Sequence, residues 1–239
     1  MDTIKINKGN ALMVAHRGVS KLEKENSMPA FVAAGNRSYF GVETDVHRTA
    51  DGKYVVIHDG NTGRVAPLDI EIEKSTYDTI RGVMLNDIDG KCGRTDLRIP
   101  SLDEYIRCCK RYEKYCVLEL KGAHMDEDIT NIINIINEAE YLDKVIFISF
   151  SLDNLIRLRK QLPDHPAQWL TGEWKEEFKN YLTDNNLDLD IWYGSLNEET
   201  VKWLHDNGKK VNIWTCDDKD AAEKYAAMGV DYITSNILE

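Results

Sequence analysis

Long hydrophobic runs are absent from this sequence, and their absence excludes one class of protein. No window approaches the run of about 18 apolar residues that a membrane-spanning helix needs. The stretch from Met1 to Lys8 has neither an apolar signal core nor a small-residue cleavage site, which predicts a cytoplasmic protein. Low-complexity tracts and Pro- or Ser-rich linkers are also absent, so the 239 residues suit one large domain or two small ones.

Cysteine is present, but not in a pattern that binds structural zinc or builds a disulfide scaffold. The number of cysteines is odd, and the chain is too large to need disulfides for stability. The C-x-x-C pair typical of structural zinc sites does not occur. The five cysteines are Cys92, Cys108, Cys109, Cys116 and Cys216.

Basic residues are fewer than acidic residues in this sequence. The chain has 30 Lys and Arg residues against 41 Asp and Glu residues, which gives a formal net charge of −11. That balance disfavours nucleic acid as a partner and disfavours stable association with anionic membranes. A phosphate-bearing substrate therefore needs a local site whose charge reverses the global sign.

The apolar residues form nine short runs separated by amphipathic stretches. Each run is rich in Val, Ile or aromatic residues, as buried strands are. Alternation of strands and helices over this length predicts parallel strands joined by helical crossovers. The nine runs are Ala11–Ala15, Tyr39–Val46, Tyr54–His58, Tyr115–Leu120, Lys144–Phe150, Gln168–Thr171, Leu189–Tyr193, Lys210–Thr215 and Asp231–Thr234.

Helix start signals fall between these runs. Ser101 opens a capping box after a proline, and Ser151 and Asn197 can each cap a further helix. The remaining predicted helices are a short one near Thr76–Arg81, Asp126–Tyr141, and about Asp218 to Met228.

Length and topology together favour one barrel, with two irregular features. A typical TIM (β/α)₈ barrel has roughly 250 residues, so we predict an α/β fold with a single TIM barrel over residues 1–239. The barrel has eight strands, whereas nine runs are predicted as strands, so one of these runs is not a strand or lies outside the barrel. Asp45 and His58 are too close for a helical crossover, and residues 49–52 predict a hairpin turn. Residues 61–99 are mostly polar and predict a small loop-rich insertion; a doubly wound open sheet stays an alternative.

Charged residues lie at the ends of four of the apolar runs. Such groups are rarely tolerated in strands unless they converge on a site. The carboxyl ends of parallel strands are where functional groups gather, so we predict one polar cavity. The residues concerned are His16, Arg17, Glu43, Asp45, His58, Glu119 and Lys121.

Three of these residues are carboxylates that strand geometry directs towards one point. Glu43 and Asp45 are two residues apart and so face the same side of a strand, and Glu119 ends another strand. Oxygen-only ligands favour one divalent cation, Mg²⁺ or Ca²⁺, over zinc. Three negative charges against the two positive charges of Arg17 and Lys121 would repel an anion. One divalent cation reverses that sign, so a phosphodiester substrate requires the metal.

His16 and His58 supply two groups that titrate near neutral pH. Phosphodiester cleavage needs a base that activates the nucleophile and an acid that protonates the leaving oxygen. Two imidazoles on opposite sides of an in-line displacement meet both needs. The sequence leaves open which histidine is the acid.

An ordered set of motifs resembles the glycerophosphodiester phosphodiesterase family, which belongs to the PLC-like phosphodiesterase superfamily. The resemblance runs from residue 13 to about residue 236; it is strong in the first 60 residues and loose between 160 and 208. The matching stretches are His16–Gly18, Glu25–Ser27, Ala30-Phe31, Glu43–Val46, Thr49–Gly52, His58-Asp59, Ile99–Leu102, Leu118–Lys121, Ser149-Phe150, Trp214-Thr215 and Gly229–Thr234.

The resemblance implies a TIM-barrel catalytic domain and metal-dependent hydrolysis of glycerophosphodiesters, small-molecule substrates, to glycerol 3-phosphate and an alcohol. It also implies a role for each site residue. The chain departs from the family pattern at Ser27 and Asn236. By family motif, the acid–base pair is His16 and His58, the metal ligands are Glu43, Asp45 and Glu119, the phosphate contacts are Arg17 and Lys121, and the apolar wall is Phe150 and Trp214.

Simpler alternatives stay open for several of these residues. Arg17 could pair structurally with Glu25 or Asp45, and Glu119 and Lys121 could form an inward salt bridge. His16 and His58 could be hydrogen-bonded core histidines, Glu43 and Asp45 a solvated strand edge, and Phe150 and Trp214 core residues. His47 is in phase with Glu43 and could border the cavity, whereas His124, His165 and His205 are expected at the surface.

Two other functions also stay open. A phospholipase-type headgroup hydrolase of the same superfamily would need an apolar docking loop, for which Val83-Met84-Leu85 is the candidate. A barrel that binds phosphate without turnover is the other, and the presence of all seven polar site residues weighs against it.

Overall fold

The computed structural model, which describes residues 2–239, contains a closed barrel of eight parallel strands. Its first strand pairs with both the second and the last, which closes the barrel and excludes the open sheet. Eight of the nine predicted strands lie in the barrel, so the TIM-barrel prediction is confirmed. The barrel strands are β1 (Leu12–Ala15), β2 (Gly41–Arg48), β4 (Tyr115–Leu120), β5 (Val145–Ser149), β6 (Ala167–Thr171), β7 (Asp188–Trp192), β8 (Val211–Trp214) and β9 (Tyr232–Ser235).

The remaining predicted strand, β3 (Tyr54–Val56), lies outside the barrel. It pairs antiparallel with β2 alone, from Val46 opposite Val56 to Arg48 opposite Tyr54. The predicted hairpin turn joins them: the Thr49 amide donates to the Lys53 carbonyl at 2.8 Å. The hairpin carries His58 back to the carboxyl end of the barrel.

Helices follow the strands and pack outside the barrel. Six of them are capped at the N-terminus by a side chain, from Ser27, Thr76, Ser101, Ser151, Asn197 and Asp218. Those at Ser101, Ser151 and Asn197 were predicted as caps. The helices are α1 (Met28–Gly35), α2 (Tyr77–Gly82), α3 (Leu102–Arg111), α4 (Asp126–Glu138), α5 (Leu152–Gln161), α6 (Phe178–Asp184), α7 (Glu198–Asp206) and α8 (Lys219–Met228).

The segment between β3 and α3 has a small hydrophobic cluster of its own. Its buried apolar side chains pack against one another, so the predicted loop-rich insertion has a small core of its own. Val83 and Leu85, from the candidate docking loop, are buried in that cluster and present no apolar membrane-facing surface. The buried members from the segment are Ile57, Val65, Ala66, Ile72, Ile80, Val83, Leu85, Leu97 and Ile99.

The main core lies between the barrel and its helices, and a second apolar layer fills the barrel interior. The interior layer includes Val14, Val117 and Ile146, which point inward below the carboxyl ends of their strands. Within residues 2–239, no helix combines the length and apolar content that crossing a membrane requires. The barrel therefore supplies a packed floor on which polar side chains gather.

Candidate active site

The loop after β1 places His16 and Arg17 at the carboxyl end of the barrel. Arg17 has a left-handed backbone with φ of 55°, and its amide donates to Glu43 Oε2 at 2.9 Å. Gly18 follows with φ of 78°, and a Cβ there would lie 2.6 Å from the carbonyl carbon of Ala30 on α1. The loop needs glycine at that point because α1 approaches it so closely.

The three predicted metal ligands meet at this end of the barrel. Glu43 and Asp45 lie on β2, and Glu119 lies on β4 opposite Asp45. One oxygen from each carboxylate lies within 4.8 Å of the other two, and all three residues are buried. A buried cluster of this kind is not a solvated strand edge.

Burial and mutual repulsion act on the protonation of these carboxyls. Burial, followed by the charge of Asp45, raises the pKa of Glu43 well above its usual value. The same two causes raise the pKa of Glu119 to about 8. Burial opposes ionisation of Asp45 as well, but nearby positive charges, chiefly Arg17, lower its pKa to about 2. Positive charge brought to the cluster would favour ionisation of Glu43 and Glu119.

Arg17 and Lys121 lie against this cluster. Arg17 Nε is 3.5 Å from Asp45 Oδ2, and its Nη1 is 2.9 Å from Glu25 Oε1. Lys121 Nζ is 3.0 Å from Glu119 Oε1 and 3.7 Å from Asp45 Oδ1. The ion pairs considered as structural alternatives thus exist, and they hold both cations beside the carboxylates.

The two histidines of the prediction both line one cavity with Glu43 and Glu119. His16 Nδ1 lies 2.8 Å from Asn236 Oδ1, and burial followed by the charge of Arg17 lowers the His16 pKa to about 4. His58 Nδ1 lies 2.6 Å from Asp59 Oδ1. Each ring is therefore held through Nδ1, which leaves Nε2 for the cavity.

An outer arginine that the sequence analysis did not identify joins the two histidine loops. Arg64 contacts Glu25 through both terminal nitrogens at 2.7 and 2.8 Å, and its Nε lies 2.6 Å from Asp59 Oδ2. Glu25 in turn holds Arg17, and Asp59 holds His58. Arg64 belongs to the insertion and thus connects it to both sides of the site.

The opposite wall of the cavity is aromatic and aliphatic. Phe150 and Trp214 meet edge to face with ring centroids 5.5 Å apart. Phe150 is 49% exposed, so it is a wall of the cavity mouth and not a core residue. The cavity is small, with a volume of about 70 Å³. Its lining is His16, Arg17, Glu43, His58, Glu119, Ile148, Phe150, Leu170, Asp190, Trp214, Thr215 and Thr234.

Two asparagines hold residues of the site, and the sequence analysis named both positions without predicting what they contact. Asn26, in a left-handed conformation with φ of 52°, donates to Asp45 Oδ2 at 2.7 Å and accepts from Thr44. Asn236, the departure from the family pattern, holds His16 and donates its own amide to Asp217 at 2.8 Å. The departure therefore touches a site residue directly.

Asp190 is a cavity residue that the sequence analysis missed. It lies on β7, is 1% exposed, and accepts from Asn212 Nδ2 at 3.1 Å. Burial, followed by the charge of Glu119, raises its pKa well above the usual value. A carboxylate inside the apolar run Leu189–Tyr193 was the available signal, the same signal that identified Glu43.

The remaining histidines do not line the cavity. His47 is buried, and its Nε2 lies 3.1 Å from the His58 carbonyl oxygen, so it supports the neighbouring loop. The surface prediction for His124 is wrong, because the residue is 2% exposed. Its backbone amide donates to Asn154 Oδ1 at 3.0 Å, which holds the loop against α5. His165 is half-buried against β5, and His205 is exposed as expected.

Comparison with known proteins identifies the family. Residues 16–238 match the model of the glycerophosphoryl diester phosphodiesterase family. A glycerophosphodiester phosphodiesterase from Caldanaerobacter subterraneus subsp. tengcongensis is 30% identical, over 94% of this chain and 93% of that protein.

Solved structures share the fold. A phosphodiesterase from Oleispira antarctica, in complex with the product sn-glycerol-3-phosphate, aligns with a TM-score of 0.86 and 22% identity over 98% of this chain and 96% of that one. A glycerophosphodiester phosphodiesterase from Parabacteroides distasonis aligns with a TM-score of 0.78 and 27% identity over 95% and 93% of the two chains. With a family match that spans almost its whole length, this chain belongs to the glycerophosphoryl diester phosphodiesterase family.

Proposed function

We propose that this protein hydrolyses glycerophosphodiesters to glycerol 3-phosphate and an alcohol, with a divalent cation bound by Glu43, Asp45 and Glu119. The observation that carries the proposal is the meeting of three buried carboxylates within 4.8 Å, beside a cavity lined by His16 and His58. Family membership and the names of the relatives support the substrate class.

The residues at the cluster fit a hard cation. Asp45 Oδ1 is buried and has no hydrogen-bond partner in the part of the chain described, residues 2–239. Three carboxylates outnumber the two cations Arg17 and Lys121, and oxygen ligands suit Mg²⁺ or Ca²⁺. When bound, the ion would polarise a phosphoryl oxygen and offset the negative charge that develops there.

Arg17 and Lys121 hold the phosphoryl group in this proposal. Arg17 is anchored by Glu25 and by Asp45, so its guanidinium is positioned before substrate binds. Lys121 is a compact charge on the other side of Asp45. Together they place the phosphodiester between the two histidines.

The environments of the histidines favour a division of roles. His16 has a neutral amide partner and a pKa lowered to about 4, so it is uncharged near pH 7 and suited to accept a proton from the nucleophile, water or a substrate hydroxyl. His58 lies across the cavity from His16, and the Asp59 carboxylate holds its Nδ1 at 2.6 Å. We assign His16 as the base and His58 as the acid that protonates the leaving oxygen.

We also propose that residues 1–239 act as one catalytic domain, with residues 61–99 as an insertion that serves the site. The support is Arg64, whose contacts with Glu25 and Asp59 tie the insertion to both histidine loops.

The test is hydrolysis of glycerophosphocholine in the presence of Mg²⁺ or Ca²⁺, followed by release of glycerol 3-phosphate. The Glu119→Gln variant removes one ligand charge and should lower kcat by at least about a hundredfold. Glu71→Gln is the matched control, because Glu71 is an exposed partner of Lys74 in the insertion. Absence of turnover by the wild type with either ion, or equal rates for both variants, would contradict the proposal.

A further inference from the structure

The carboxylate of Asp217, in the loop after β8, holds the chain at the end of β9. Its Oδ1 accepts from Ser235 Oγ at 2.9 Å and from the Asn236 backbone amide at 2.8 Å. Its Oδ2 accepts from Asn236 Nδ2 at 2.8 Å. Asp217 does not line the cavity, so its link to the candidate site is the side chain of Asn236.

This contact determines which way the side-chain amide of Asn236 faces. A carboxylate can only accept hydrogen bonds, so the amide nitrogen of Asn236 faces Asp217 and the amide oxygen faces away. That oxygen lies 2.8 Å from His16 Nδ1 and accepts from Ser20 Oγ at 2.5 Å. The orientation of the amide therefore follows from the negative charge of Asp217.

The orientation of the amide in turn determines the tautomer of His16. An amide oxygen can only accept a hydrogen bond, so the neutral imidazole carries its proton on Nδ1 and its lone pair on Nε2. Nε2 faces the site, 3.9 Å from Glu43 Oε2. The opposite orientation would place the amide nitrogen of Asn236 against Nδ1, and the proton would then lie on Nε2. That is the atom that accepts a proton in the proposed function.

We propose that Asp217 is a positioning residue, which acts through Asn236 to keep the proton of neutral His16 on Nδ1 and Nε2 free to act as the base. The inference rests on the proposed function and adds to it a residue outside the cavity lining. It also gives the departure at Asn236 a physical role. An amide offers an acceptor to His16 and a donor to Asp217, whereas a carboxylate there would place two acceptors against each other.

Nitrogen NMR of the ¹⁵N-labelled protein reads the His16 tautomer directly, without turnover. The His16 signals are assigned by their absence from the spectrum of His16→Gln, and in the wild type above neutral pH the proton should lie on Nδ1. In Asp217→Asn, the new side-chain oxygen should keep the two donors that Oδ1 now holds, so the new amide nitrogen faces Asn236. The Asn236 amide should then turn over, and the proton of His16 should move to Nε2.

Steady-state kinetics with glycerophosphocholine gives a second readout. Asp217→Asn should lower kcat by at least about tenfold, because the base atom of His16 carries the proton, and should change KM by less than about threefold. Asp218→Asn is the matched control, because it makes the same chemical change at the next residue. Asp218 caps α8 by accepting from the Ala221 amide at 2.8 Å, and Asn caps helices equally well. The control should keep the wild-type tautomer and the wild-type kcat.

A double variant that combines Asp217→Asn with Asn236→Asp exchanges the two groups and tests for rescue. The carboxylate that replaces the Asn236 amide accepts from both neighbours, so the proton of His16 should return to Nδ1. A proton on Nε2 in the wild type, or on Nδ1 in folded Asp217→Asn, would overturn the positioning role and leave the proposed function intact. The wild-type spectrum decides the matter even if a variant does not fold. Failure of the wild type to hydrolyse glycerophosphocholine, with the proton on Nδ1, would instead overturn the proposed function.

Discussion

At the scale of single residues, the two candidate catalytic histidines differ in the partner that holds Nδ1. His16 faces the amide of Asn236, whereas His58 faces the carboxylate of Asp59. A neutral partner together with burial keeps the His16 imidazole uncharged, which suits it to accept a proton. His58 is then the candidate for the group that donates one.

Replacing His58 with Ala should lower kcat by about 10²–10⁴-fold, because the leaving oxygen loses its proton donor. The measurement is the initial rate of glycerol 3-phosphate release from glycerophosphocholine. His205→Ala is the matched control, since His205 is exposed on α7 and pairs with Asp231. A His58→Ala rate within about tenfold of the wild type would remove the acid role.

The sequence located the seven polar residues of the candidate site better than the residues that support them. Glu43 and Glu119 were detectable because a carboxylate in an apolar strand run is unusual. Asn236 and Arg64 were not assigned contacts, because their partners come from other strands and loops. His16 and Asn236, for example, are 220 positions apart in the chain.

At the scale of structural elements, Arg64 makes the insertion part of the site's support. Its guanidinium is shared by Glu25 and Asp59, and its hydrogen bonds help to lower the pKa of each carboxyl to about 2, although burial opposes that shift. Carboxyls whose pKa is lowered in the folded state stabilise the fold above their unfolded pKa values, 4.5 and 3.8. That stability is lost as the pH falls towards about 2.

Arg64→Gln should therefore lower the free energy of unfolding most at pH 5 to 7, in the window that the two carboxyl shifts define. The difference from wild type should narrow as the pH falls from 4.5 towards about 2, because both carboxyls then become protonated in either state. Urea unfolding across this range is the measurement. Arg98→Gln, in the same insertion but bonded to a backbone carbonyl, is the control. A difference that stays constant with pH would contradict the linkage.

Most elements were predictable from periodicity, and the exceptions have local causes. The run Tyr54–His58 forms the antiparallel strand β3, because the turn at residues 49–52 is too short for a crossover to a parallel strand. Helix α1 was not predicted as a separate element, although Ser27 and Pro29 are start signals. It is short and apolar on most sides, so it lacks the amphipathic pattern that identified α4.

At the scale of the whole molecule, the charge balance is the context of the proposed cation site. The chain has a formal net charge of −11, and its candidate site adds a buried group of three carboxylates. A bound cation would favour ionisation of Glu43 and Glu119 and would keep the site attractive to an anionic phosphodiester. In the proposed function, Arg17 and Lys121 contact the phosphoryl group, and the three carboxylates are the ligands of the cation.

The central claim is that the Glu43–Asp45–Glu119 cluster binds a divalent ion on which hydrolysis depends. The most direct test is the rate of glycerophosphocholine hydrolysis before chelation, after exhaustive chelation, and after Mg²⁺ or Ca²⁺ is returned. We predict a loss of at least about a hundredfold that the returned ion reverses. An unchanged rate, with elemental analysis confirming that the divalent ions have been removed, would contradict the account.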